Sequence, residues 1–163
     1  MTVDTADFGK NLQAWQKLQK LPFGKWLFTQ AMCFKVPYFR TVHPRIQELR
    51  PGLCRVSAPN RRGVHNHLGT YHAIASCNMA EIAGGIMTEA TVPPTHRWIP
   101  AGMTVEYKDK ATTGVTSIAR LDTIPEFGDE KMDLIVPVDV LDADGNVFVS
   151  AEITMYVSKK KAR

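Results

Sequence analysis

The chain has 163 residues, of which 44% are hydrophobic and 22% are charged. This length fits one domain with a substantial core, and the composition excludes disordered and collagen-like proteins. The formal net charge of +4 is modest and suits either an anionic ligand or solubility alone.

The N-terminal part of the chain predicts two helices and no export signal. Met1–Lys10 lacks the basic-then-apolar order of a secretory signal. Apolar residues recur at helical spacing over Phe8–Leu21, and a second, more apolar helix is expected from about Gly24 to Lys35, before Pro37. The longest apolar stretch, Trp26–Val36, is shorter than the roughly 20 residues that span a bilayer. We therefore expect a cytoplasmic protein with no membrane partner.

The rest of the chain reads as strands around one further helix. Strand patterns cover Tyr38–Leu49, Leu53–Ala58, Arg97–Tyr107, Gly114–Asp122, Met132–Leu141 and Val147–Ser158. The last pattern alternates with the period of two expected of a sheet with one covered face. Asp144 and Gly145 predict a hairpin before it. This order indicates an α+β fold in a single folded unit, with a helical extension over residues 1–40 and the main domain over residues 41–163.

The central helix, predicted over Tyr71–Ala90, has an unusual composition. Many of its side chains are small, and small side chains let other elements approach closely. These residues are Ala73, Ala75, Ser76, Cys77, Ala80, Ala83, Gly84 and Gly85. We therefore expect the sheet to wrap this helix. Glu81 is the only charged residue between His72 and Glu89. A carboxylate in an apolar setting loses hydration and is tolerated when it is paired, protonated or used, so Glu81 is the best catalytic candidate.

A group of polar and small residues lies just before this helix. Unpaired backbone amides and the helix dipole can stabilise an oxyanion there, as acyl transfer requires. Each residue also has an ordinary structural explanation, as a loop former, a helix cap or a satisfied polar contact. The group consists of Asn66, Gly69, Thr70 and His72.

Together with Glu81, nine positions after His72, this group resembles the signature of hotdog-fold thioesterases of the phenylacetate-pathway type, and especially of their DUF4442-like relatives. The segment from Val105 to Ala111, followed by Gly114, resembles the strand after the central helix in these proteins. The resemblance covers roughly Arg50–Val157 and leaves the N-terminal helices outside.

This resemblance implies a long central helix wrapped by an antiparallel sheet, a homodimer, and hydrolysis of acyl-coenzyme A with no cofactor other than the coenzyme A of the substrate. Glu81 would act as general base or nucleophile, and the Ala73 amide would polarise the thioester carbonyl. Asn66 and His72 would orient substrate or water. Further substrate contacts are implied at Gly69, Thr70, Ile74, Lys108 and Asp109, and the phosphates have candidate contacts at Arg61, Arg62, Lys108 and Lys110.

Four positions depart from the family pattern and bear on substrate class and rate. Ala73 and Ile74 replace the paired glycines, Glu81 replaces the usual aspartate, and Asp109 corresponds to a hydroxyl residue.

Helix geometry adds an expectation about assembly. Nine helical residues span about 13.5 Å and about two and a half turns, so His72 and Glu81 would point in opposite directions. A reaction that uses both would need a two-fold dimer, and a dimer of dimers stays open. The N-terminal helices would then cap the acyl groove, extend the dimer interface or touch a membrane.

Other functions stay open. A non-catalytic acyl-CoA-binding hotdog domain would not need Glu81, and a hotdog hydratase or dehydratase would use an acid and a histidine across the dimer. Nucleic-acid binding ranks last because the basic residues are scattered and form no reader motif.

Metal and thiol chemistry are not expected. His65, His67 and His72 lack the carboxylate or cysteine that would complete a standard zinc set. The cysteines are widely spaced without a CxxC pair, which argues against disulfides and a thiolate zinc site. Cys77 lies within the central helix with no identifiable histidine partner, so it is not expected to be a nucleophile.

Overall fold

The computed structural model describes residues 9–161. The helices are α1 (Lys10–Leu18), α2 (Gly24–Lys35) and α3 (Ala73–Thr91), with short 3-10 helices at Pro37–Val42 and Arg62–Val64. The strands are β1 (Arg45–Arg50), β2 (Leu53–Ala58), β3 (His96–Tyr107), β4 (Val115–Arg120), β5 (Met132–Leu141) and β6 (Val147–Lys159). Within residues 9–161, no helix is long and apolar enough to cross a membrane.

All six strands form one antiparallel sheet in the order β1-β2-β4-β5-β6-β3. Buried and exposed residues alternate along β5, so one face of this strand turns to the core and the other to solvent. Helix α3 lies against the covered face and is buried along most of its length. The predicted α+β class and the hotdog arrangement of sheet around helix are confirmed.

Close packing of α3 on the sheet depends on Gly84. A Cβ atom at Gly84 would lie 2.8 Å from Cδ1 of Ile153 in β6, whereas a Cβ at Gly85 would lie 3.5 Å from Trp98, an ordinary contact distance. Ile153 is itself buried in the core and has little room to move.

We therefore expect the two adjacent glycines to respond differently to alanine. Gly85→Ala should gain about 1 kcal/mol of helix propensity. In Gly84→Ala the same gain is opposed by overpacking, which costs about 1–3 kcal/mol. Urea denaturation should show Gly85→Ala as the more stable variant. Equal stabilities would contradict the close contact between Gly84 and β6.

The N-terminal helices belong to the same hydrophobic core as the sheet. Trp15 of α1 and Phe28 of α2 pack edge to face with ring centroids 5.2 Å apart, and both are buried. Thr29 of α2 accepts a hydrogen bond from the backbone N–H of Ile46 in β1, at 3.1 Å. Helix α2 is thus attached to the edge of the sheet. Phe8, the predicted start of the first helix, lies outside the described residues.

The prediction of a strand over Tyr38–Leu49 is wrong in its first half. Pro37 presets a helical φ and begins a 3-10 turn, which ends at His43 with a left-handed φ of 52°. The strand begins only at Arg45. The short segment between Pro37 and His43 therefore borders the core instead of extending the sheet.

Strand β3 forms one edge of the sheet. It pairs with β6 on one side, and no other strand within residues 9–161 pairs with its second side. Ile99 is 61% exposed and Met103 is 40% exposed. A long strand with an open edge and exposed apolar side chains is a template for pairing with another chain.

Candidate functional site

Glu81 lies on the side of α3 that the sheet leaves open. Ile74, Cys77 and Glu81 follow one another at spacings of three and four residues and so share one stripe of the helix. Glu81 is exposed in the structure of the single chain, so the expectation of a dehydrated carboxylate is wrong there. The sheet covers the other side of the helix, so Ile74 and Glu81 remain exposed and Cys77 is half-buried.

Glu81 borders a groove of about 310 Å³ between the N-terminal helices, α3 and β3. Most of the surface that lines it is apolar. The lining residues are Asn11, Met32, Lys35, Val36, Phe39, Glu81, Gly85, Ile86, Glu89, Trp98, Pro100 and Met155. The N-terminal helices thus form one wall of the groove, and their role toward an acyl chain stays a prediction.

A second carboxylate, Glu89, lies further along the same groove. Its Oε1 accepts a hydrogen bond from Nδ2 of Asn11 at 3.0 Å, and its Oε2 accepts one from Nε1 of Trp98 at 2.9 Å. Both oxygens are therefore engaged, unlike the exposed carboxylate of Glu81. Glu89 holds α1 and β3 together at α3, so Glu81 is the carboxylate available for chemistry.

The start of α3 is capped by His72, and the predicted helix start at Tyr71 is two residues too early. His72 has an extended backbone, and its Nδ1 accepts a hydrogen bond from the N–H of Ile74 at 3.0 Å. Because Nδ1 is the acceptor, a neutral ring carries its proton on Nε2. His72 is therefore arranged to donate a hydrogen bond outward.

The backbone N–H of Ala73 has no acceptor among the described residues. It is the first N–H of the helix, where intrahelical partners are lacking, while His72 satisfies the N–H of Ile74. Ala73 is half-buried. Such a donor at the positive end of a helix is suited to a developing oxyanion.

The loop before α3 is held by the side chain of Asn66. Its Oδ1 accepts from the N–H groups of Leu68 at 2.9 Å and Thr70 at 3.1 Å, and its Nδ2 donates to Oγ1 of Thr70 at 2.8 Å. Gly69 adopts a φ of 76°, which favours glycine. The backbone N–H of His72 donates to the Val64 carbonyl at 2.7 Å. The loop thus positions His72.

The remaining predicted substrate contacts are spread over the surface. Ile74 is 57% exposed beside His72. Lys108 and Asp109 directly follow β3, where Lys108 forms an ion pair with Glu106 at 3.7 Å and Asp109 accepts from the N–H of Lys110 at 2.7 Å. Their roles toward a substrate stay predictions.

The two ends of the candidate site do not share a cavity within one subunit. His72 borders a cleft of about 240 Å³, and Glu81 borders the apolar groove. Ala73 and Glu81 are eight residues apart, which corresponds to about 12 Å along the helix. This distance separates the two ends of the candidate site, as predicted. The argument that His72 and Glu81 point in opposite directions on one helix does not apply, because His72 precedes the helix.

Sequence reasoning missed Asn78, which borders the His72 cleft and is 5% exposed. Its signal was an amide side chain in a run of small and apolar residues, the same kind of exception that singled out Glu81.

Metal and thiol alternatives gain no support from the described part of the chain. It contains no group of three or more histidine, cysteine or acidic side chains that could hold a metal ion. Nε2 of His65 instead lies 2.6 Å from Oδ1 of Asn60. Sγ of Cys77 lies 3.2 Å from the hydroxyl of Tyr107, with no histidine hydrogen-bonded to it.

The family model described as Domain of unknown function (DUF4442) matches residues 24–157. This match includes α2, which the resemblance seen in the sequence left outside. No curated protein matches the chain.

Solved structures share the fold. The genomics target APC5556 is 43% identical, with 93% of this chain and 100% of that chain covered and a TM-score of 0.80. PA5026 from Pseudomonas aeruginosa, a protein of unknown function described as a probable thioesterase, is 23% identical. The match covers 86% of this chain and 97% of PA5026, with a TM-score of 0.74. The thioesterase HI1161 from Haemophilus influenzae is 12% identical. The match covers 75% of this chain and 82% of HI1161, with a TM-score of 0.65.

Proposed function

The chain belongs to the DUF4442 family and has the hotdog fold, and from this premise we propose that it hydrolyses acyl-coenzyme A to a free acid and coenzyme A. The observation that carries the proposal is the exposed carboxylate of Glu81 at the edge of an apolar groove. The thioesterase names of PA5026 and HI1161 agree with this reaction class.

The acyl chain would occupy the apolar groove. Its volume of about 310 Å³ holds on the order of ten methylene-sized groups, each taken to be about as large as the ~30 Å³ share of a water molecule. An apolar chain there would cover the half-buried Val36 and Phe39 and displace water from them. Glu89 would close the far end, because an apolar chain would otherwise desolvate its carboxylate.

The active unit would be a homodimer. The open edge of β3 and the exposed Ile74 and Glu81 of α3 would be available to a second copy of the chain. Two-fold symmetry would bring Glu81 of one subunit toward the Ala73 N–H of the other, which one subunit cannot do by itself. Two equivalent sites would result.

In the proposed reaction, the thioester carbonyl oxygen accepts a hydrogen bond from the Ala73 N–H. Glu81 takes a proton from a water molecule whose oxygen bonds to the carbonyl carbon, or the carboxylate attacks that carbon itself. The tetrahedral oxyanion then collapses, the carbon–sulfur bond breaks, and the thiolate leaves as coenzyme A and takes up the proton that Glu81 removed from water. After direct attack, the product is instead an anhydride between the acyl group and Glu81, which water hydrolyses to the free acid and the Glu81 carboxylate while a proton from that water goes to the thiolate. Outward donation from Nε2 of His72 would orient the substrate.

A thiol-release assay against short, medium, long and aromatic acyl-CoAs tests the function. We expect turnover, with kcat/KM highest for straight medium-length chains and lower for chains that exceed the groove. Thiol release from none of the panel would contradict the proposal and favour the acyl-CoA-binding domain. Conversion of a hydroxyacyl thioester without thiol release would favour a hydratase.

A further inference from the structure

Three arginines converge on a second cavity that the proposed reaction does not use. The cavity has a volume of about 390 Å³ and lies between α2, the start of the sheet and the loop after β2. It is lined by Trp26, Gln30, Cys33, Arg40, His43, Pro44, Arg45, Pro59 and Arg61. No acidic side chain from residues 9–161 lines it, so its charge is positive.

The arginines have no counter-charge in the described part of the chain. Arg40, Arg45 and Arg61 take part in none of its ion pairs. The pKa of His43 lies below its ordinary value, first because of partial desolvation and then because of the positive charges of Arg61 and Arg40. Like charges therefore act on one point, and an anion placed between them would relieve the repulsion.

The other lining residues indicate what kind of anion fits. Guanidinium groups match the geometry of phosphate oxygens and bind them through paired hydrogen bonds. Trp26 is 59% exposed and offers an aromatic surface on which a nucleobase can stack. A nucleotide combines both groups.

The cleft beside His72 adjoins this cavity. Val42 borders the cleft, and the next residue, His43, borders the cavity. On the loop after β2, Gly63 borders the cleft and Arg61 borders the cavity. A ligand that leaves the start of α3 along this cleft would thus reach the arginines.

An unpartnered acceptor lies in the wall of the cleft. Nδ2 of Asn78 donates to Oγ1 of Thr41 at 3.0 Å, and that hydroxyl donates to the carbonyl of Tyr38 at 2.8 Å. Because the Thr41 proton is already used, Asn78 must donate to Thr41, which leaves its Oδ1 as an acceptor. Among the described residues Oδ1 has no partner although the side chain is 95% buried, so a ligand N–H would remove an unfavourable desolvation.

We propose that the Asn78 cleft binds an amide of the pantetheine arm of coenzyme A, and that Arg40, Arg45 and Arg61 bind its phosphates with Trp26 beside its adenine. This assignment rests on the proposed function, because it takes the thioester to lie at Ala73. From the start of α3 through the Asn78 cleft to the arginine cavity, the proposed contacts follow the order of groups in the substrate: thioester, amides, phosphates, base.

Calorimetry with 3′,5′-ADP and with coenzyme A tests the site without any turnover. The variant Arg40→Gln with Arg61→Gln should weaken binding of both probes by roughly tenfold or more, since it removes two charged hydrogen-bond donors. Arg120→Gln is the matched control, because this exposed arginine pairs with Asp122 and does not line the cavity. Its binding should equal that of the wild type.

Kinetics with two substrates of the same acyl chain separate the two ends of the site. The arginine variant should raise KM for acyl-CoA by roughly tenfold and leave KM for acyl-pantetheine, which lacks phosphates, unchanged. Asn78→Leu should raise KM for both substrates. Thermal denaturation checks that each variant is folded.

Three results would overturn the assignment while the thioesterase proposal stands. The first is turnover of acyl-CoA by an arginine variant that binds 3′,5′-ADP as tightly as the wild type, and the second is an equal change in KM for both substrates in that variant. The third is binding of pyrophosphate as tight as that of 3′,5′-ADP. Conversely, the protein could bind 3′,5′-ADP, lose this binding in the arginine variant, and release thiol from no acyl-CoA. That result would support the nucleotide site and contradict the proposed hydrolysis.

Discussion

Glu81→Gln is expected to lower kcat/KM for acyl-CoA by about 10²–10⁴-fold, the range that a positioned general base contributes. Glutamine keeps the size of the side chain but cannot take a proton from water or attack the carbonyl. Because Glu81 is exposed in the described subunit and lacks a partner there, its replacement should change stability by at most about 0.5 kcal/mol. The thiol-release assay, with thermal denaturation beside it, measures both effects.

Glu152→Gln is the matched control for this experiment. Glu152 lies on β6 and is exposed, between Ala151 and Ile153, which are buried in the core, so its side chain points away from α3. The control should keep wild-type activity. A Glu81→Gln variant that retains most of its activity while remaining folded would remove Glu81 from the mechanism. A wild type that binds acyl-CoA without releasing thiol would contradict hydrolysis and leave the binding-domain and hydratase alternatives.

Ala73→Pro is expected to lower kcat by about 10²–10³-fold, the cost of one oxyanion-hole donor. Proline removes the N–H of Ala73 and nothing else that the helix uses, since the first helical position tolerates it. His72 already has the extended backbone that a following proline requires, with φ −70° and ψ 136°. Ala73→Gly keeps the N–H and serves as the control, with activity near that of the wild type.

The two variants together test whether the site is shared between subunits. In a mixed dimer of Ala73→Pro and Glu81→Gln chains, one site would combine the intact Ala73 of one subunit with the intact Glu81 of the other. Random re-association of two chain types makes half of the dimers mixed, and each has one good site of two. Mixing two inactive proteins should therefore restore about a quarter of wild-type activity. No recovery after demonstrated subunit exchange would place the whole site within one chain.

The elements of the fold were predictable because their signals are local. The strand over Met132–Leu141 and the helix over Gly24–Lys35 have the predicted bounds, since alternation, helical periodicity and a following proline are all read within a few neighbouring residues. The error at Tyr38–Val42 has the same origin. A proline-initiated 3-10 turn and a short strand look alike when only neighbouring side chains are compared.

The candidate site was predictable only in part. Glu81 stood out as the single charge in an apolar helix, and the start of that helix indicated free amides at Ala73. That Glu81 faces solvent, rather than a dry interior, depends on which side of the helix the sheet covers. Asn78 was not predicted because its role depends on a contact that is distant in the sequence. Its Nδ2 donates a hydrogen bond to Thr41, 37 residues away, and this leaves its Oδ1 without a partner among the described residues.

By itself, the sequence determined the order of helices and strands, the buried central helix and the family signature from Asn66 to Glu81. Only the tertiary structure decided how distant segments meet: α2 became a wall of the groove beside Glu81, and arginines from three segments, Arg40, Arg45 and Arg61, came to surround one cavity. The physical reason is that periodicity and turn chemistry act between near neighbours, whereas burial, charge convergence and an unpartnered acceptor depend on distances that only packing sets.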